Sequence, residues 1–251
     1  MLEERSVEVA PRLRPWIAGI TTSSASAETI VRDEPDTATT LALRTAPGEK
    51  PELMVIGPRT RALYYRGTPG PSCAKVRLQP GAAKLLLGRS VRDLVDRVVP
   101  LRDIRREEPV GQRSDPAQFL EALIEDMSVG LSRNGDSVGK AADLLSTSDV
   151  QASAQRLHVS ERHLRNVFVD SVGLSPKRFA RIERVRSILA HGPTRPWSEL
   201  AIEAGYYDHS HMTAEFRVIM GVPPTVFFSR GVTPTVECKG IYESVQLIQP
   251  S

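Results

Sequence analysis

Residues 157–179 read LHVSERHLRNVFVDSVGLSPKRF, and residues 205–227 read GYYDHSHMTAEFRVIMGVPPTVF. Laid over each other at an offset of 48, Leu164 meets Met212, Phe168 meets Phe216, Gly173 meets Gly221, Pro176 meets Pro224 and Phe179 meets Phe227. Self-similarity at one fixed offset marks one structural unit used twice. The grammar of each copy predicts a helix, a tight turn and a second helix.

In the first copy, Val150–His158 carries Ala152, Ala154 and Leu157, which suit a short buried helix. A break follows at His158-Val159-Ser160, where the Ser160 hydroxyl can cap the next helix by accepting an orphan backbone N–H. Leu164, Val167, Phe168 and Ser171 then keep helical spacing on one face, opposite Glu161, Arg162, Arg165 and Asn166. Gly173 stops the helix, since glycine enters the left-handed region without a Cβ clash. In the second copy, Ser198–Ala204 is the first helix, with Ser198 as its cap, and Gly205-Tyr206-Tyr207 is the turn. Asp208 caps a second helix that buries Met212, Phe216 and Ile219 and leaves His209, Ser210, His211, Thr213 and Ala214 on the open side. Gly221 ends it, and Pro223-Pro224 begins a last short helix. Between the copies, Ser175–Ala190 reads as one longer helix with Phe179, Ile182, Val185, Ile188 and Leu189 as its stripe.

A plain helical bundle could carry the same duplicated pattern; local charge favours a nucleic-acid face. From Ser160 to Arg186, seven basic residues (Arg162, Arg165, Lys177, Arg178, Arg181, Arg184, Arg186) stand against Glu161, Asp170 and Glu183, a net +4. Such clustering is the footprint of phosphate binding. The whole chain is only +3, so the signal is local.

These two stretches resemble the AraC family of bacterial transcription regulators, over roughly residues 137–230. The resemblance implies a seven-helix domain that binds one face of double-stranded DNA through two adjacent major-groove segments. Carried over by position, base contacts come from Arg162, Arg165 and Asn166 in the first unit and from His209, Ser210, His211 and Thr213 in the second. Ser160, His163, Lys177 and Arg178 complete the expected DNA-binding set. Many members have an arginine where Ala214 stands. From Pro196 to Arg230, two basic residues (Arg217, Arg230) face four acidic ones (Glu199, Glu203, Asp208, Glu215), a net −2. An asymmetric reader is therefore expected, with the first unit dominant.

The remainder of the chain has a different texture. Short strand-like runs at Thr39–Arg44, Leu53–Ile56, Ala62–Arg66 and Cys73–Leu78 are separated by turns at Pro47-Gly48, Gly57-Pro58 and Pro69-Gly70-Pro71. Ser90–Val99 reads as an amphipathic helix through Val91, Leu94, Val95 and Val98. GPRTRALYYRG and VRLQPGAAKLLLG resemble a small domain that precedes the reader in some family members, which implies a sensor or dimerisation role. The expected fold is therefore multidomain. A β-rich α+β domain occupies 1–110, and a linker with a connecting helix at Ala117–Leu131 occupies 111–136. An all-α AraC-type domain, two helix-turn-helix units joined by a long helix, follows at 137–230, and a tail at 231–251.

Several motifs point to nothing further. Gly135-Asp136-Ser137-Val138-Gly139-Lys140 falls one residue short of a phosphate loop, and Ala141 stands where a magnesium-holding hydroxyl belongs. His209 and His211, two apart on a helix, cannot face one metal. Cys73 and Cys238 have no metal spacing, and a disulfide is not expected in a cytoplasmic regulator. No signal peptide is expected, and no apolar run approaches the ~20 residues of a membrane span. No cofactor and no catalytic activity are expected. Double-stranded DNA is the expected partner, with RNA polymerase, a small-molecule effector and a second copy of the chain as further candidates. Two other classes fit the same residues: an N-terminal small-molecule-binding or enzymatic domain regulated by the DNA module, and a protein-binding adaptor.

Overall fold

A computed structural model describes residues 2–27, 29–67, 69–105, 115–131, 136–192 and 195–230. Among the described residues the N-terminal part has eight strands: β1 (Leu2–Val7), β2 (Ile17–Ala25), β3 (Thr29–Asp33), β4 (Thr40–Thr45), β5 (Glu52–Ile56), β6 (Leu63–Gly67), β7 (Ser72–Leu78) and β8 (Val98–Pro100). Six form one antiparallel sheet in the order β1-β2-β7-β4-β5-β8, and β3 pairs with β6 in a second. β7 sits inside the larger sheet because both of its edges are taken, by β2 and β4. Its alternation sets the two faces. Ala74, Val76 and Leu78 are buried with Ile20, Leu41 and Val55 in an apolar core, whereas Cys73, Lys75 and Arg77 point to the opposite side.

Three helices serve the apolar face: α1 (Ala82–Leu87), the single turn α2 (Leu101–Ile104) and α3 (Pro116–Met127). The expected connecting helix is α3, and its stripe Leu120, Leu123, Ile124 and Met127 is built into the sheet's core. The opposite face is held by ion pairs. Asp33 takes Arg59 at 2.9 Å and Lys75 at 3.6 Å, and Asp36 takes Arg77 at 2.8 Å. Burial alone would raise the Asp36 carboxyl, but Arg77 and Arg186 outweigh it and hold it below its ordinary range.

The segment Ser90–Val99 is not the helix its spacing predicts. It makes one 3-10 turn, Arg92–Leu94, and then turns at Asp96, whose φ is 55°, into β8. The Asp96 carboxylate accepts the Thr60 N–H at 2.7 Å and the Thr60 hydroxyl at 2.6 Å, and Val98-Val99 pair with β5. Tertiary bonds and β-branched residues thus override a local helical period.

The helical part comprises α4 (Ser137–Thr147), α5 (Val150–Arg156), α6 (Glu161–Val172), α7 (Pro176–His191), α8 (Trp197–Glu203), α9 (His209–Met220) and α10 (Pro224–Arg230). Phe168 and Phe216, equivalent in the repeat, are both fully buried in one core with Phe179, Ile182, Val185 and Met212. Asp136, Ser160, Ser175 and Asp208 cap their helices, each accepting a backbone N–H three residues on, as expected for Ser160 and Asp208. Ser198 is not a cap: α8 begins one residue before it, with Pro196 in the cap position and no side-chain bond. The tail, the linker residues 111–114 and Asn134-Gly135 lie outside the described residues.

Candidate nucleic-acid interface

The two helix-turn-helix units are α5–α6 and α8–α9. Each first helix has seven residues and each second helix twelve. Each turn passes through a left-handed residue, His158 at φ 55° and Gly205 at φ 78°. Equivalent backbone bonds close them, Val159 N–H to Ala154 O and Tyr206 N–H to Ala201 O. The equivalence refines the repeat. First helices match at an offset of 47 and second helices at 48, so the second turn holds one additional residue between Tyr206 and the cap Asp208. That residue is Tyr207, and it is 92% exposed. A one-offset overlay of the sequence hides this insertion.

On α6, the Ser160 hydroxyl is committed to capping, accepting the His163 N–H at 3.1 Å. Arg162, His163, Arg165 and Asn166 are exposed on the face away from Leu164 and Phe168. Among the described residues neither Arg162 nor Arg165 has an ion pair. Lys177, at the start of α7, is also exposed. On α9, His209, Ser210 and His211 are exposed and Thr213 is half-buried, with its hydroxyl 3.3 Å from the His209 ring. The His211 ring stands edge-on to Tyr206 at 5.4 Å. Arg162, Arg165 and Asn166 thus share one face of α6 and His209 and Thr213 share one face of α9, whereas His211, two positions from His209, stands on another side against Tyr206.

Charge is distributed differently from a count along the chain. Glu215 is 7% exposed and binds inward, to Arg181 at 2.9 Å, Arg184 at 3.4 Å and the Tyr206 hydroxyl at 3.1 Å. Burial and the neighbouring Glu215 push the Tyr206 phenol far up, so it stays a donor. Glu203 is paired with Arg195 at 2.8 Å. Of the second unit's four carboxylates, Glu215 is therefore neutralised inside the protein and Glu203 by a pair on the surface. On α7, Arg181 and Arg184 share the Glu215 carboxylate, and two further arginines are engaged by the β-rich part. Arg178 donates to Thr60 Oγ1 at 3.0 Å, and Arg186 reaches Asp36 at 3.3 Å and the Pro35 carbonyl at 3.0 Å. Of the seven cations counted between Ser160 and Arg186, three have no such partner among the described residues: Arg162, Arg165 and Lys177.

A family profile described as "Helix-turn-helix domain" matches residues 153–230, spanning both units. Residues 153–230 form an AraC-type helix-turn-helix domain. The chain carrying it is a DNA-binding transcription regulator, with a β-rich part ahead of the AraC-type domain. No curated protein sequence matches the chain. Among solved structures, the AraC-type domain is similar to the DNA-binding domain of AdpA in complex with a target DNA (21% identity, TM-score 0.34, covering 38% of this chain and 88% of that one). It is also similar to the C-terminal domain of AraT, a response regulator from Geobacillus stearothermophilus (20% identity, TM-score 0.36, 45% and 99%). A longer stretch is similar to unsaturated fatty acid-bound ToxT from Vibrio cholerae (11% identity, TM-score 0.42, 85% and 96%). These likenesses are distant, and the profile match carries the assignment.

The described residues hold no group of three or more His, Cys, Asp or Glu able to bind a metal. No helix among them is long and apolar enough to cross a membrane.

Proposed function

We propose that the chain reads two adjacent major-groove segments with unequal readers, α6 dominant and α9 subordinate. The observation that carries this is the pair of guanidinium groups of Arg162 and Arg165, without an ion pair among the described residues, on the open face of α6, against His209, Ser210, His211 and Thr213 on α9. An arginine fork on guanine O6 and N7 is worth about 1–3 kcal/mol of discrimination. Imidazoles and hydroxyls make single, adaptable contacts. Asn166 sits beside Arg165 for an adenine edge, Lys177 supplies a phosphate contact, and Tyr207 supplies a contact at the rim of the second groove segment. Arg178 serves the protein's own interior contacts before it serves DNA.

In this reading the β-rich part is a sensor or dimerisation domain and not an enzyme. Its buried acids support that: Asp33 and Asp36 are consumed by Arg59, Lys75, Arg77 and Arg186. The site of action is the cytoplasm, at the nucleoid. RNA polymerase, a small-molecule effector and a second copy of the chain are further partners of this reading, with no residue assigned to them.

The test is selection of duplexes from a random pool by the full chain at near-physiological salt. Enrichment of a site with two short motifs about one helical turn apart is expected, with the stronger motif on the α6 side. Affinity for it should fall steeply as salt rises, since each phosphate contact releases counterions. A salt-insensitive chain that enriches no site would overturn the reading in favour of a protein-binding adaptor.

A further inference from the structure

The last turn of a helix leaves backbone carbonyls without an intrahelical partner, and buried ones need donors. In both reading helices some of those donors come from the β-rich part. At the end of α6, the Asp170 carbonyl accepts the Val91 N–H at 3.0 Å and the Ser90 hydroxyl at 3.3 Å, and the Asp170 carboxylate pairs with Lys84. Gly173, which caps α6 at φ 85°, lies so close that a Cβ there would stand 3.0 Å from the Val91 carbonyl. At the end of α9, the Ile219 carbonyl accepts the Ala62 N–H at 2.9 Å and the Met220 carbonyl accepts the Tyr64 hydroxyl at 2.9 Å. Tyr64 is buried in the helical part's own core. Burial pushes its phenol up to about 12, which keeps it a donor at neutral pH.

The two capping segments are joined to each other. Asp96 binds the N–H and the hydroxyl of Thr60, the Asp96 N–H donates to the Pro58 carbonyl at 2.8 Å, and the Gly57 N–H donates to the Arg97 carbonyl at 2.9 Å. Gly57 leaves no room at this seam, since a Cβ there would fall on the Leu94 carbonyl. Midway along it, Thr60 Oγ1 accepts Arg178 from the first turn of α7. One continuous element, residues 57–64 stitched to 90–97, therefore touches the end of α6, the start of α7 and the end of α9.

We infer that this element is a strut that sets the separation and relative rotation of the two reading helices, making Tyr64, Ser90 and Asp96 positioning residues for DNA-site spacing. The inference rests on the two-reader function proposed above. The β-rich part would then act on the reader mechanically: anything that shifts 57–64 against 90–97 changes which spacing of half-motifs is bound, without touching a base contact.

The experiment uses the full chain and the duplex enriched by it, together with duplexes in which one or two base pairs are inserted or removed between the motifs. The wild type should bind the native spacing best and lose about tenfold or more at altered spacings, as expected when the second motif rotates away from its reader. Tyr64→Phe removes only the hydroxyl, and Ser90→Ala and Asp96→Ala act at the other end and at the seam. Each should stay within about threefold of the wild type at the native spacing, while the penalty for altered spacing shrinks about fivefold, the worth of one net hydrogen bond. Arg165→Ala is the control and should lower binding to every duplex by one factor. Spacing profiles unchanged in soluble, folded Tyr64→Phe and Ser90→Ala overturn the strut. A uniform loss across all spacings also overturns it, as that is the mark of stability alone. Failure of the wild type to enrich any site would overturn the two-reader function, and the strut with it.

Discussion

The two reading units share a scaffold and differ in what they do with charge. Both cap the reading helix with a short polar side chain, both anchor it on a buried phenylalanine and both end it at a left-handed glycine. Unit one leaves its arginines in solvent. Unit two turns the one carboxylate of its reading helix, Glu215, inward onto α7, and offers imidazoles and hydroxyls outward. Scaffold and reading face are thus set by separate positions of one repeat, so each can be perturbed alone.

The largest effect should test the shared scaffold. Phe168→Ala and Phe216→Ala should each cost about 3–5 kcal/mol in denaturant unfolding, the range for truncating a buried phenylalanine. The two values should agree to within roughly 1 kcal/mol if the cores are equivalent. Next is the inward carboxylate. Glu215→Val places at this site the residue type found at the equivalent Val167, and should lower stability by about 2–3 kcal/mol. The half-exposed Arg181 and Arg184 would keep some water, which holds the figure below that of a fully buried pair; a stability gain would break the comparison. On DNA, Arg165→Ala should weaken operator binding by about 1–3 kcal/mol, and His211→Ala by less than about 1 kcal/mol. Equal losses in a gel-shift titration would remove the asymmetry. Among the stability effects the caps are smallest, Ser160→Ala and Asp208→Ala each costing near 1 kcal/mol in thermal unfolding.

Acid should separate the β-rich part from these effects. A carboxyl held low in the fold contributes stability that is present above its unfolded value of 3.8 and lost as pH falls through the folded one. Asp36→Asn should therefore flatten the acid limb of the melting-temperature profile, and leave the profile near neutral pH parallel to wild type.

How much of this was legible along the chain depended on the range of the deciding interactions. α6 and α9 were legible because their caps, stripes and terminal glycines act within a turn or two. β4 to β7 were legible through period-two runs and flanking turns. β1 was not: its residues are polar and exposed, and only the pairing with β2 makes LEERSV a strand. β8 was hidden inside a helical period that Asp96 breaks. At the site, the outward faces of both reading helices were readable. The commitments of Arg178, Arg184 and Arg186 were not, because their partners Thr60, Glu215 and Asp36 are brought to them only by the fold. Tyr207 was legible as a turn residue but not as an insertion, because a single offset cannot match both helices of each unit.

Glu215 has a last consequence, for the history written into the repeat. Copies of a duplicated unit begin interchangeable. Here α7 depends on the second copy, since Arg181 and Arg184 find their carboxylate there and the Arg184 Nε has no hydrogen-bond partner among the described residues. A chimera with the first unit in both places would set Val167's side chain against two guanidinium groups. The order of the two readers along the chain is therefore no longer reversible, although their outlines still superimpose.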